Sequence, residues 1–571
     1  MLKKTYPLVI AGCLLVMFTQ GQDLRSMKGQ KLVSFHGSIG AGANFYSSNE
    51  QYKTRDPFAW NLYGSFTPEF YGFALPFSFV ITQYSKSYTS PFAQFGISPS
   101  YKWIKLHLGY RNISFSPLVF DGQSFLGAGI ELHPKGFYFG AFYGRLNKAI
   151  TEDTSYGHNL QPQYARIGYG VKIGVGGSLN NVSIQFFHAR DDTASIHRIK
   201  DSLTSILPQE NSVLGASWHF RFFKRLSFSG DVAASLLNRD LSYAKIDSIG
   251  YVKIPRLVQQ LTPINYSSVI SFSGQTQLLL TLNHLNASAG YRRIQPDFKS
   301  LGVPYALDDI EMISASLGTN LYKGRLSINA AYNTQHNNLA HMLSSELKTQ
   351  TGNININSFI SQHLNINVNL TGVQLYQQDG LLKLGDSIRM NQFMWNATFA
   401  PTLNFSGVLH QHTISFNINY TDLNDHNPLT ASQTGCKSFS SSLSYSLFFT
   451  QSYWGINTNV MYSRYDQPAD SYQSLGLNAG FNAQFLKEHN LAVQASIGYF
   501  LNHDDQGTAG NNTTFSFNCS YGMNKHHSLG LFASYVITPP VNLNPLNLVN
   551  HVPYAVNSKN LEGGMTYTYH F

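Results

Sequence analysis

The sequence predicts an all-β fold: a single large antiparallel transmembrane β-barrel of roughly 26 strands, with short turns at one end and long loops at the other. Three observations predict it. Stretch after stretch alternates apolar and polar side chains, the pattern of strands with one apolar face. The connections between these stretches run alternately short and long. Only 12% of the 571 residues are charged, against 43% hydrophobic and 14% aromatic, whereas an average globular chain carries about 25% charged residues.

The composition separates this fold from its rivals. The mean hydropathy is only −0.17, and past the leader there is no apolar run of the roughly 20 residues that a membrane helix needs. A barrel wall reconciles the two facts, because every second residue is apolar and the average is diluted. The soluble alternative, several secreted β-sandwiches, calls for more surface charge. The net charge of +9 is scattered, with no Lys/Arg run and no aromatic-basic motif, so no nucleic-acid partner is expected. Cys13 lies in the leader, and Cys436 and Cys519 form neither a disulfide framework nor a metal site. By parity with Phe515, Phe517 and Tyr521, Cys519 faces outward as a small hydrophobe.

Along the chain, residues 1–21 read as a signal peptide: Lys3 and Lys4, an apolar stretch to Phe18, then Thr19-Gln20-Gly21. Cleavage after Gly21 leaves Gln22 first. Ile10-Ala11-Gly12-Cys13 also matches a lipoprotein box, but the apolar stretch before Cys13 is short and Leu14 to Phe18 continues it. Residues 22–32 are expected to form a short polar, periplasmic N-terminal segment, too short for a plug domain, and 33–571 the transmembrane barrel. Alternation is clearest in the second half. Ile414, Phe416, Ile418 and Tyr420 alternate with Thr413, Ser415, Asn417 and Asn419; Leu475, Leu477, Ala479 and Phe481 alternate with Ser474, Gly476, Asn478 and Gly480. Between Phe58 and Phe115, Pro68, Pro76, Pro91 and Pro99 blur the pattern.

Short connections include Pro134-Lys135-Gly136, Phe223-Lys224, Asn283-His284, Tyr322-Lys323-Gly324, Ser361-Gln362, Thr450-Gln451-Ser452, Lys487-Glu488-His489 and Asn524-Lys525. Long ones include Asn147–Pro162, Asp191–Asn211, Asn238–Asn265, Gln295–Asp308, Gln377–Ser387 and Thr538–Val556.

The last strand has Leu561, Gly563, Met565, Tyr567, Tyr569 and Phe571 on one face and Glu562, Gly564, Thr566, Thr568 and His570 on the other. This alternation and the final Phe571 resemble the C-terminal assembly signal of Gram-negative outer-membrane β-barrels. The match is close over about a dozen residues and elsewhere lies only in the strand pattern. The resemblance implies an outer-membrane location, periplasmic short turns and extracellular long loops. It implies contact with outer-membrane lipid and lipopolysaccharide, and recognition of Tyr567, Tyr569 and Phe571 by the outer-membrane assembly machinery. Gln22 at the new N-terminus resembles exported proteins of the Bacteroidota. Asp and Glu gather in the long connections, for example Asp191, Asp192, Asp308, Asp309, Asp504 and Asp505. There they either meet divalent ions bridging lipopolysaccharide phosphates or are simply solvated.

The inward face carries any function. In the second half it is almost all Asn, Ser, Thr, Gln and Gly, a neutral amide lining that bonds water or hydroxyls and selects little between ions. In the first half Lys105, His107, Arg111, Arg166 and Lys172 point in, with Glu131 as a lone acid. This basic sector reads as an anion-attracting strip, as a dock for an inward-folded loop, or as an ion-pair ladder across neighbouring strands. Twenty-six strands enclose a circle roughly 50 Å across. Inward loops, elliptical collapse or another protein must narrow it, and Asp191–Asn211 and Asn238–Asn265 are the expected lids.

Catalysis and cofactors are not expected. His336, His341, His410, His412, His526 and His527 lack Cys or carboxylates at ligand spacing, and no Gly-x-Ser-x-Gly elbow occurs. Two functions remain: a channel or conduit for polar solute or polymer, and a plugged scaffold holding a surface or periplasmic protein.

Overall fold

The computed structural model describes residues 33–50, 55–70, 73–83, 94–151, 162–196, 206–249, 252–304, 307–385, 389–468, 470–486, 488–505, 507–539 and 557–571. The signal peptide, Cys13, Gln22 with the segment 22–32, and most of Thr538–Val556 lie outside them.

Alternating side chains make strands, and the strands join one antiparallel sheet of 28. Two of these, Phe73–Ala74 and Ser100–Tyr101, are two-residue spurs beside hairpin ends. The other 26 form the wall of a closed barrel. Each wall strand pairs with its neighbours in sequence, and the circle closes where Val33–Ser48 meets Ser558–His570. Their register runs from Ser38↔His570 to Ser48↔Asn560, and Phe571 N–H donates to the Gly37 carbonyl at 3.0 Å. In hydrocarbon an open edge would leave backbone groups unpaired, so this seam is obligatory.

The outward row confirms which face meets lipid. In Ser471–Phe485, Leu475, Leu477 and Phe481 are exposed while they alternate with Gly476, Asn478 and Gly480. Large apolar side chains stand exposed in this way around the wall, among them Ile184, Leu214, Ile313, Leu443, Ile497 and Met565. A closed wall with an apolar exterior is an outer-membrane, multi-pass β-barrel.

The eight short connections named from the sequence each join adjacent paired strands; Lys487 in one of them is outside the described residues. Several turn with left-handed backbone, including Phe223 (φ 50°), Lys224 (φ 58°) and Gly136 (φ 72°), which matches the twist of the flanking strands. At the other end the connections are not uniformly long. Trp454–Asp466 pairs with Ser471–Phe485 up to Asp466↔Ser471, and Leu491–Asp504 with Gly507–Gly522 up to Asp504↔Gly507, so Asp466 and Asp504 belong to strands.

Strand length divides the barrel. Ile104–Asn112, Ser124–Leu132, Phe137–Asn147, Arg166–Gly176 and Asn181–Asp191 have 9 to 11 residues, about what a tilted strand needs to cross a bilayer. Ser345–Phe359, Leu364–Asp379, Asn391–Ser406 and His410–Asp425 have 15 or 16, so the wall there rises past the hydrocarbon. The proline-rich stretch is thinnest: Phe77–Thr82 has six residues and Gln94–Ile97 four. Proline donates no ladder bond, yet the carbonyls of Pro68, Pro76 and Pro99 still accept from Leu75, Ser98 and Leu106 at 2.8–2.9 Å.

Candidate functional site

The interior is where the sequence reading and the structure part. An apolar core lies inside the barrel, and its members run from Ile113 to Leu301. Past Leu301, Ala483 is the only buried apolar residue among those described. Two connections at the loop end, 113–123 and 295–304, fold inward and build this core with inward wall residues. Phe120 lies against Phe142 (ring centroids 4.3 Å) and Phe187 (5.2 Å), and Phe125 stacks on Phe142 at 4.7 Å. Such ring pairs add about 0.5–1.5 kcal/mol each beyond the burial itself.

Glycine makes the seat. A Cβ on inward Gly170 would meet Phe115 and Phe142 at 2.7 Å, and one on Gly215 would meet Val119 at 2.4 Å. Polar bonds hold the two segments together and to the wall. Asp121 N–H donates to the Gly302 carbonyl (3.1 Å), and the Ser300 hydroxyl to the Val119 carbonyl (2.5 Å). Leu301 N–H donates to Asn211 Oδ1 (3.0 Å). Asp231 of the wall accepts from Ser116, Ser217 and Gln275 at 3.0, 2.6 and 3.1 Å. The expected lids contribute less. The described residues of Asn238–Asn265 stay at the rim, where Asn238 Nδ2 donates to the Pro263 carbonyl at 2.8 Å. Residues 197–205 of Asp191–Asn211 are outside the described set.

The residues of the basic sector divide among separate tasks. Lys105 and Glu131 face each other in register at 3.7 Å, and Glu131 also holds His107 (2.6 Å) and the Tyr138 hydroxyl (3.3 Å). Arg111 ties the thin wall together, donating to Ser78 Oγ at 2.7 Å and to the Gly96 carbonyl. Arg166 makes a bidentate pair with buried Asp191, at 2.7 and 3.0 Å. Lys172 Nζ donates to the Phe115 carbonyl at 2.6 Å, anchoring the inward segment. Asp231 is the partner that sequence reasoning passed over, and Asp191, expected in a long connection, instead ends the strand Asn181–Asp191 and pairs with Arg166. Asp231 shares the inward parity of Ser227, Ala233 and Ser235, which was the available signal.

Between the inward segments and the rim is a cavity of ≈ 640 Å³, lined among others by Gln123, Asn147, Arg166, Arg239 and Lys299. Arg239 pairs with Asp297, and Lys299 Nζ donates to Gln209 Oε1 at 3.1 Å. Burial pushes the Lys299 ammonium pKa down, and the Arg166 charge adds to this.

The opposite wall is different. Asn353 Nδ2 donates to Asn369 (3.0 Å) and Thr371 (2.7 Å), Asn396 to Asn419 (3.1 Å) and Thr421 (2.7 Å), and Asn419 to Thr398 (2.8 Å). These amides form cross-strand ladders facing the lumen. Tyr567, Tyr569 and Phe571 lie on the closing strand: Tyr567 accepts from or donates to His527 Nδ1 at 2.6 Å, and Phe571 packs on Tyr569, Phe66 and Phe35. His336 stands between Glu311 (3.4 Å) and Glu346 (3.5 Å) of neighbouring strands. Among the described residues no group of three or more His, Cys, Asp or Glu is placed to hold a metal ion.

No protein-family model matches the chain, and no curated protein matches it. Solved structures do. The chain is similar to the copper transporter OprC, with a TM-score of 0.42 and 8% identity over 95% of this chain and 81% of that one. It is similar to a chain of the E. coli P pilus tip assembly intermediate PapC-PapD-PapK-PapG, with a TM-score of 0.44 and 12% identity over 86% of this chain and 61% of that one. It is also similar to the siderophore receptor PirA from Pseudomonas aeruginosa, with a TM-score of 0.35 and 8% identity over 93% and 80%.

Proposed function

We propose that this chain is a non-catalytic outer-membrane conduit for a polar solute or polymer, which passes along the amide-lined half of the lumen. The division of the interior supports the reading. One sector is filled by an apolar core from Ile113 to Leu301, and the other presents Asn and Thr ladders. Filling one side narrows a circle that would otherwise leak, and leaves a wall that bonds hydroxyls and water without strong charge selection. The basic sector is largely taken up within the protein, since Lys172 holds the inward segment at Phe115 and Arg166 pairs with Asp191 across the wall.

Purified protein in planar bilayers tests the reading. A steady conductance with weak ion selectivity is expected, and replacing 115–120 by a Gly/Ser stretch should raise it. A silent barrel in both forms, purifying with another chain, rejects the conduit. It favours the second reading, a plugged scaffold for a surface or periplasmic protein, for which the same inward segments speak. Contact with outer-membrane lipid and lipopolysaccharide, and with the assembly machinery at Tyr567, Tyr569 and Phe571, belongs to either reading.

A further inference from the structure

On the lipid-facing side of the long-stranded half, one row of the wall lacks side chains at two adjacent positions. The cross-strand register runs Tyr332↔Gly352, Gly352↔Gly372 and Gly372↔Trp395. Two glycines thus lie side by side between two large aromatics, which are about 14 Å apart across three strand spacings. The next row toward the periplasm carries Ile354 and Leu370. Together these residues line an apolar groove of ≈ 690 Å³. Its face is set by the exposure of Tyr332, Ile354, Leu370 and Trp395, and by the inward amides of Asn353 and Asn396, which bond on the other side of the wall.

Nothing within the protein requires glycine here. A Cβ on Gly352 would meet nothing within 4 Å, and one on Gly372 only the Phe393 ring at 3.8 Å. Neither residue has left-handed backbone. Glycine weakens a strand interior and commonly marks the close approach of another group. The inward glycines of this chain follow that rule, since Gly170 and Gly215 seat Phe115 and Val119. The outward pair has no such occupant from its own chain.

The surroundings say what the occupant is. Lys348 lies four residues toward the extracellular end on the same face as Gly352, about 13 Å higher along the strand. Its neighbour across the ladder is His336, which is taken up by Glu311 and Glu346. Lys348 itself makes no ion pair among the described residues. An apolar slot below an unpaired ammonium matches a lipid with an anionic headgroup. We propose that the Gly352–Gly372 groove is a binding site for one acyl chain of an anionic outer-leaflet lipid, with Lys348 meeting its phosphate.

Trp395 reports on the site directly. The protein has five tryptophans, so a full-length variant with Trp60, Trp103, Trp218 and Trp454 changed to Phe leaves Trp395 alone, its fold checked by heat-modifiable gel migration. In zwitterionic vesicles containing a small fraction of brominated phosphatidylglycerol, Trp395 quenching should exceed that expected from the mole fraction. Gly352→Val with Gly372→Val should bring it to the bulk level, and both substitutions suit a strand. Lys348→Gln should cut the preference for the anionic over the zwitterionic brominated lipid about fivefold, the factor one lysine contributes near an anionic surface. Quenching at the bulk level in the unaltered groove overturns the proposal. So does a dimer in which Trp395 is shielded from both lipids.

Discussion

Phe571 packs against Phe66 across the closing seam, with ring centroids 5.9 Å apart, although the two belong to strands at opposite ends of the chain. Phe35 lies at 6.4 Å on the strand between them. Phe571 thus caps three strands at the short-turn rim, and its N–H closes on Gly37.

Deleting Tyr569 to Phe571 removes these ring contacts and the last rungs of the seam. Export to the periplasm should continue, and membrane insertion should fail. Outer-membrane fractionation and heat-modifiable migration measure this. A folded, inserted truncation would show that neither the seam nor the terminal aromatics control assembly.

The orientation follows from the turns. An epitope inserted in the hairpin after Asp504 should be reachable by antibody on intact cells, whereas one at Asn524-Lys525 should need permeabilised cells. The reverse labelling would invert the barrel.

Phe120→Ala should open a cavity among Phe142, Phe187 and Phe115. Large-to-small changes of this kind cost about 3–5 kcal/mol in a packed core. The loss falls on the inward segment, so the expected readout is raised conductance, with faster proteolysis of 113–123, while the wall keeps its heat-modifiable migration. Gly215→Val should do the same by excluding Val119. Unchanged proteolysis in both would mean the segment is held by its polar bonds alone.

Arg166→Glu places a carboxylate against buried Asp191. Breaking a buried pair costs about 3–5 kcal/mol, so the thermal transition should fall, and Asp191→Arg in the same chain should restore part of it. With Lys172→Glu added, ion selectivity should change little, because both cations face partners rather than a path. A marked loss of anion preference would instead make them part of the passage.

Much of the fold was legible in the sequence because alternation is a local property. Leu475, Leu477 and Phe481 declare a face without any knowledge of the rest of the chain. Turns at Pro134-Lys135-Gly136 or Tyr322-Lys323-Gly324 declare a hairpin in the same way. From these came the strand number and the amide character of one half of the lumen. The weak spot was local too. Pro76 and Pro99 interrupt the pattern where the wall is thinnest.

The filling of the barrel was not legible. Residues 113–123 and 295–304 have no period, and the bonds that fix them join distant positions: Ser300 to Val119 across 181 residues, and Lys172 to Phe115 across 57. Lys172 on its strand reads as a lumen cation, and only the folded chain turns it into the anchor of a buried carbonyl. The glycines follow the same logic. In sequence, Gly215 and Gly352 each read only as a gap in an alternating strand. Tertiary structure alone decides that Val119 fills the first and that no residue fills the second, because a strand sets the direction of a side chain while only packing across the barrel sets what it meets.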